Sequence, residues 1–176
     1  MRTKKNILIT GPPGIGKTTI MKKLAQELKD SGTAGFYTAE IREGGVRHGF
    51  ELVSFNGRRG LLSHIDIKSP YHVGRYGVDI RGFEAFLDTI ALTDTDAGLV
   101  MIDEIGKMEC LSQRFKTIVR TIMDSGKAVI ATVALQGPGF IAEVKGREDA
   151  MLFEMTPENR DSLAEEILRY VKASYD

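Results

Sequence analysis

A chain of 176 residues is about one domain's worth of sequence, and its 42% hydrophobic and 27% charged content is ordinary for a soluble globular protein. Twenty-four basic residues balance twenty-four acidic ones, so no net positive field advertises a nucleic-acid partner. A single cysteine, Cys110, closes no internal disulfide, and no apolar run makes a membrane span or a signal segment; the sequence reads as one cytoplasmic domain over residues 1–176.

The β-branched run "NILIT" (6–10) predicts a buried strand ending at a glycine. Next, "GPPGIGKT" (11–18) fits G-x-x-x-x-G-K-[ST] at Gly11, Gly16, Lys17 and Thr18, between a predicted strand and a predicted helix. Pro12 and Pro13 have no backbone N–H, so the donors that wrap a phosphate must come from residues 14–19: Gly14, Ile15, Gly16, Lys17, Thr18 and Thr19. Gly14 and Gly16 permit the dihedrals and close approach this needs, and the helix N-terminus adds partial positive charge. Lys17 supplies a compact cation between β- and γ-phosphates, and the Thr18 hydroxyl is a ligand for Mg²⁺.

From Lys17, helical spacing places Ile20, Met21, Leu24 and Leu28 on one side, and "DSG" (30–32) ends the helix. "GFYT" (35–38) predicts the next strand. Residues 40–65, with "GG" and "NG" between extended runs, predict an antiparallel meander. Residues 66–81 have weak periodicity and read as a loop. A helix follows over 83–92, then the strand "LVMID" (99–103). Residues 112–126 give an amphipathic helix, "AVIATV" (128–133) a buried strand, and 136–149 a mobile segment around a short helix. "AMLFEM" is the last strand, and the closing helix is expected to start with Thr156 as N-cap and Pro157 in its first position. Alternating strands and helices make the class α/β with a mainly parallel sheet.

A phosphate loop of this type needs a second carboxylate to hold magnesium, usually at the end of another buried strand, and Asp103 supplies it. Glu104 follows directly. Successive side chains on a strand point to opposite faces, so Glu104 either turns into the cleft to polarise an attacking water or only caps the next turn. "DEIG", with Ile105 and Gly106, also matches the D-x-x-G of GTP switch proteins, but no N-K-x-D guanine-reading element occurs.

"GPPGIGKTT", "GFYTAEIRE", "RHGFELV", "VGRYGVD", "DEIGKME" and "TPENRD", in this order and spacing, resemble the small P-loop nucleoside-triphosphatase family described from thermophiles, which includes the cancer-related nucleoside-triphosphatase. The resemblance covers roughly residues 6–170. It implies a three-layer P-loop fold with a RecA-like central sheet, and hydrolysis of the γ-phosphate of ATP, GTP, CTP and UTP with little choice of base. It also implies phosphate binding by Gly11 to Thr18, magnesium ordered by Asp103 and water activated by Glu104. Cys110 departs from the family's usual apolar residue after "KME" and reads as a small core side chain. "LQGPGFIAEVKGRED" (135–149) matches the family loosely.

Further candidates are open. Arg42 or Glu40 either serves the phosphate and its metal or forms a cross-strand charge pair. Lys107 and Glu109 either order the acid-bearing loop or start a solvated helix. Arg147, between glycine and acids, is the candidate for a catalytic cation arriving over the transferred phosphate, against a solvated surface arginine. Asn159 and Arg160 read as a capped helix start. His48, His64 and His72 show no metal-ligand spacing. Rival activities are a nucleotide or small-metabolite kinase and a nucleotide-dependent module binding RNA, DNA or protein through the basic "RHGFELVSFNGRR".

Overall fold

A computed structural model describes residues 4–175. One nine-stranded mixed sheet organises them. Its strands are β1 (Asn6–Gly11), β2 (Thr33–Glu43), β3 (Val46–Ser54), β4 (Arg59–His64), β5 (His72–Val73), β6 (Tyr76–Val78), β7 (Leu99–Ile105), β8 (Ala128–Ala134) and β9 (Ala150–Glu154), in the order β5-β6-β4-β3-β2-β7-β8-β1-β9. From β2 to β9 every neighbour is parallel; from β2 to β5 every neighbour is antiparallel. Long β2 belongs to both halves, because its first residues pair with β7 and Phe36–Glu43 pair with β3.

The parallel strands read as apolar runs because helices cover both faces. Helices α1 (Lys17–Glu27) and α5 (Leu163–Tyr175) pack on one face, where Ile20, Met21, Leu24 and Ile167 meet Ile7, Ile9, Met101 and Ile130. On the other, α2 (Ile80–Ile90), α3 (Gln113–Asp124) and short α4 (Phe140–Lys145) bring Phe83, Phe115 and Phe140 against Leu8, Ile102 and Ala131. The expected three-layer α/β arrangement with its antiparallel meander is what the chain adopts.

Three local expectations are corrected. Residues 66–81 contain the hairpin β5–β6, whose strands of two and three residues are too short to carry a periodic signal. The second predicted helix begins three residues early, at Ile80, because Asp79 accepts a hydrogen bond from the Gly82 N–H at 2.9 Å. Thr156 and Pro157 do not open α5. The Asn159 side chain accepts from the Thr156 N–H and donates to the Glu154 carbonyl, both at 2.8 Å, so this segment is folded into turns and the helix starts at Leu163. Among the described residues no helix is long and apolar enough to cross a membrane.

Candidate active site

The carboxyl ends of β1, β7 and β8 converge beside the start of α1. The loop after β1 turns through Gly14 and Gly16 at φ of 76° and 116°, conformations that favour glycine, and Gly16 is the residue from which α1 starts. Lys17, buried at the first helical position, donates from Nζ to the carbonyls of Gly11 at 2.8 Å and Pro12 at 3.2 Å. Its ammonium is thus folded back over the loop whose amides it accompanies. Thr18, beside it, donates from its hydroxyl to Asp103 Oδ2 at 2.7 Å.

Asp103 is fully buried, and its other oxygen accepts from the Thr132 hydroxyl at 2.6 Å. Burial pushes this carboxyl above the usual carboxylate range, against the pull of the Thr132 and Thr18 hydroxyls and the Lys17 charge. Three elements therefore meet at one carboxylate: β7 carries it, while hydroxyls on α1 and β8 donate to it. Thr132 was invisible as a site residue in the sequence. The one available signal was a hydroxyl at position 132 inside an otherwise apolar strand.

Glu104 escapes the strict alternation of a strand. In the β7–β8 pairing Ile102 faces Ala131 and Ile105 faces Val133, so Asp103 and Glu104 together oppose Thr132 alone. This is a bulge, a device that re-aims side chains, and it occurs at the two acids. Burial first, then the Asp103 charge, raises the Glu104 carboxyl, and Lys17 draws it down. Lys17 thus acts on both acids. Gly106 leaves the room they need: a Cβ there would stand 2.9 Å from Glu104 Oε1 and 3.1 Å from Glu109 Oε2.

Glu109, weighed against a solvated helix start, is instead almost fully buried. Burial and then the Glu104 charge push it well above the usual carboxylate range, opposed by its own N–H and that of Gly106. Burial removes the reading of Glu109 as a solvated charge. Cys110 is half-buried against the α3 side of the core, and burial pushes its thiol up to about 12, which fits a packing role and not a nucleophile.

Glu40 and Arg42 form the cross-strand charge cluster that was the plainer of their two readings. Arg42 bonds Glu40 at 2.7 Å and Arg47 bonds it at 3.1 Å. Arg59 pairs with Glu51 at 2.6 Å, so two arginines of the "RHGFELVSFNGRR" stretch are matched by acids of the same sheet. That weakens the nucleic-acid reading.

Arg147 requires a correction. Its guanidinium bonds Asp149 at 2.8 and 2.6 Å and Asp124 at 2.7 Å, and Asp149 also accepts from the Asn6 amide at 3.0 Å. Asn6 opens β1, whereas the phosphate loop begins where β1 closes, about 16 Å away at ordinary strand rise. Arg147 therefore ties α3, β1 and β9 together at the end of the sheet opposite the phosphate loop. Replacing it with alanine is expected to leave turnover within about twofold and to cost about 1 kcal/mol of stability, held to that figure by partial exposure of the acids. The Arg147 charge holds Asp149 below its usual range, so its contribution is present above the unfolded value near 3.9 and is lost as pH falls through the folded one. Thermal melts of the two proteins should accordingly differ at pH 7 and converge in acid as Asp149 becomes protonated.

An NTPase family model matches residues 6–168. Nucleoside-triphosphatase THEP1 of Thermotoga maritima is 44% identical over 94% of this chain and 95% of its own. The human cancer-related nucleoside-triphosphatase is 38% identical over 97% and 98%. The crystal structure of THEP1 from Aquifex aeolicus superposes with a TM-score of 0.82 at 36% identity, covering 93% of this chain and 97% of that one. The solution structure of the human protein gives 0.83 at 36% identity, covering 97% and 99%.

Proposed function

Since the chain belongs to the NTPase family, we propose that it is a nucleoside-triphosphatase that hydrolyses the γ-phosphate of ATP, GTP, CTP and UTP in a magnesium-dependent reaction. The observation that carries this reading is the convergence of Lys17, Thr18, Asp103 and Glu104 at one phosphate loop. Low base specificity is supported by the lack of an N-K-x-D element in the sequence.

The donor set fits magnesium. A hydroxyl and a carboxylate already 2.7 Å apart are hard oxygen donors of the kind that suit this ion. Thr18 and Asp103 would hold the ion. When bound, it would neutralise negative charge on the phosphates. The loop amides from Gly14 to Thr19 then wrap the phosphates, and Lys17 leaves the Gly11 and Pro12 carbonyls for phosphate oxygens. Glu104 takes a proton from water as its oxygen bonds the γ-phosphorus; the bond to the bridging oxygen breaks, and the electron pair leaves with the nucleoside diphosphate. Ile105 and Gly106 carry the chain out of the site behind the base.

A phosphate-release panel tests this. With Mg²⁺ all four triphosphates should yield orthophosphate at rates within about tenfold of one another, and chelation should stop them. Transfer of label to an added nucleoside or nucleoside monophosphate, in place of phosphate release, would identify a kinase instead.

A further inference from the structure

The antiparallel half of the sheet brings together residues that lie apart in sequence. In the β2–β3 pairing Ile41 faces Gly49 and Arg42 faces Arg47, so His48 is an extra residue without a partner, a bulge that turns its ring. In the β3–β4 pairing Gly49 faces His64. A Cβ on Gly49 would stand 2.2 Å from the Ser63 carbonyl oxygen and 3.1 Å from His64 Cδ2, so glycine lets β4 come close here and brings the His64 ring against β3. The two imidazoles lie with centroids 6.0 Å apart at 67°. Glu43, the last residue of β2, places Oε2 3.2 Å from His48 Nδ1. One ligand atom from each of Glu43, His48 and His64 lies within 4.8 Å of the other two.

We propose that this cluster is a second metal site, separate from Thr18 and Asp103, which takes a borderline divalent ion such as Zn²⁺ through Glu43, His48 and His64. Two imidazoles and one carboxylate are a nitrogen-rich set that suits zinc and its neighbours and discriminates against Mg²⁺. Tetrahedral zinc with bonds of 2.0–2.1 Å sets its donors about 3.3 Å apart. The Glu43–His48 pair stands at that spacing, and rotation of the His64 ring brings in the third donor. His64 Nδ1 accepts from the Asp66 N–H at 3.2 Å, and Asp66 Oδ2 lies 3.5 Å from the same nitrogen; binding an ion through Nε2 would shift the ring proton to Nδ1, where that carboxylate can accept it. The imidazoles are mostly covered, at 24% and 17% exposure, while Glu43 at 63% leaves an entry from solvent. Arg42 and Arg47 are committed to Glu40 and leave Glu43 to the ion. Bound there, the ion would clamp together the ends of β2, β3 and β4.

The test is titration of the nucleotide-free protein with Zn²⁺ alone by calorimetry, and with Co²⁺ alone by visible absorption. The expected result is one tight site per chain, not displaced by millimolar Mg²⁺. It should weaken at least tenfold in His48→Ala and in His64→Ala and stay unchanged in His72→Ala. Circular dichroism checks that each variant is folded. Glu43→Gln, at an exposed side chain, serves as the third variant and should weaken binding without unfolding. Mg²⁺-dependent phosphate release should persist in all of them, which separates this site from the hydrolytic one. Wild-type binding no tighter than that of the His48 and His64 variants would overturn the proposal and leave Glu43–His48 an ion pair only.

Discussion

Glu104→Gln is expected to lower phosphate release by about 10²–10⁴-fold while nucleotide affinity stays within a few-fold. Glutamine keeps the length and polarity of the side chain but accepts no proton. The bulge in β7 that sets Asp103 and Glu104 together against Thr132 removes the main objection to Glu104, that a strand would send it to the other face. Its environment also suits a base. Burial and the neighbouring Asp103 raise its proton affinity, and Lys17 keeps that rise in check. Single-turnover phosphate release separates the chemical step from product departure, and fluorescent-nucleotide binding supplies the affinity. Turnover within fivefold of wild type would take Glu104 out of the mechanism.

Asp103→Asn should fall by at least about 10²–10³-fold in activity, with the opposite sign in stability. A buried carboxylate that serves a cation is costly without it. Its proton affinity is raised by burial, so this group stabilises the fold below the unfolded value near 3.9 and loses that contribution as pH rises through the folded one. An amide of the same shape escapes that cost: one of the Thr18 and Thr132 hydroxyls can rotate to accept from its NH₂ while the other goes on donating to its oxygen. In the absence of Mg²⁺ the variant should therefore melt at or above the wild-type temperature at pH 7, and the difference should close as pH approaches 4. Added Mg²⁺ with nucleotide should raise the melting temperature of wild type and much less that of the variant. A strongly lowered melting temperature without metal would show that Asp103 is mainly a structural hub.

The parts of the molecule that were legible in the sequence are those where one local signal suffices. The phosphate loop needs its glycines and lysine at fixed offsets. The buried strands β1, β7 and β8 are apolar runs bounded by turns, and α3 repeats its apolar residues over three turns. What was hidden depends on partners far along the chain. Thr132 becomes a partner of Asp103 only because β8 flanks β7. Glu109, set in "GKMEC", has the look of a solvated charge, and only the fold of the acid-bearing turn buries it. Arg147 looked catalytic through its glycine and charged neighbours, and register alone places it at the far end of β1. The histidines fail a spacing test because strand pairing, not spacing, brings them together.

The pairing of β1 has a consequence for how the chain acquires its active form. Both neighbours of β1 come from residues 128–154, more than 115 positions downstream, whereas β2, β3 and β4 find one another almost at once. During synthesis the meander can form early, but the loop that will grip phosphate hangs from an unpaired apolar strand until β8 emerges. Substrate therefore arrives too late to template the early steps, and it can reward only a chain that is nearly complete. Until then β1 is the segment most exposed to wrong association, and it is also the one on which all later chemistry depends.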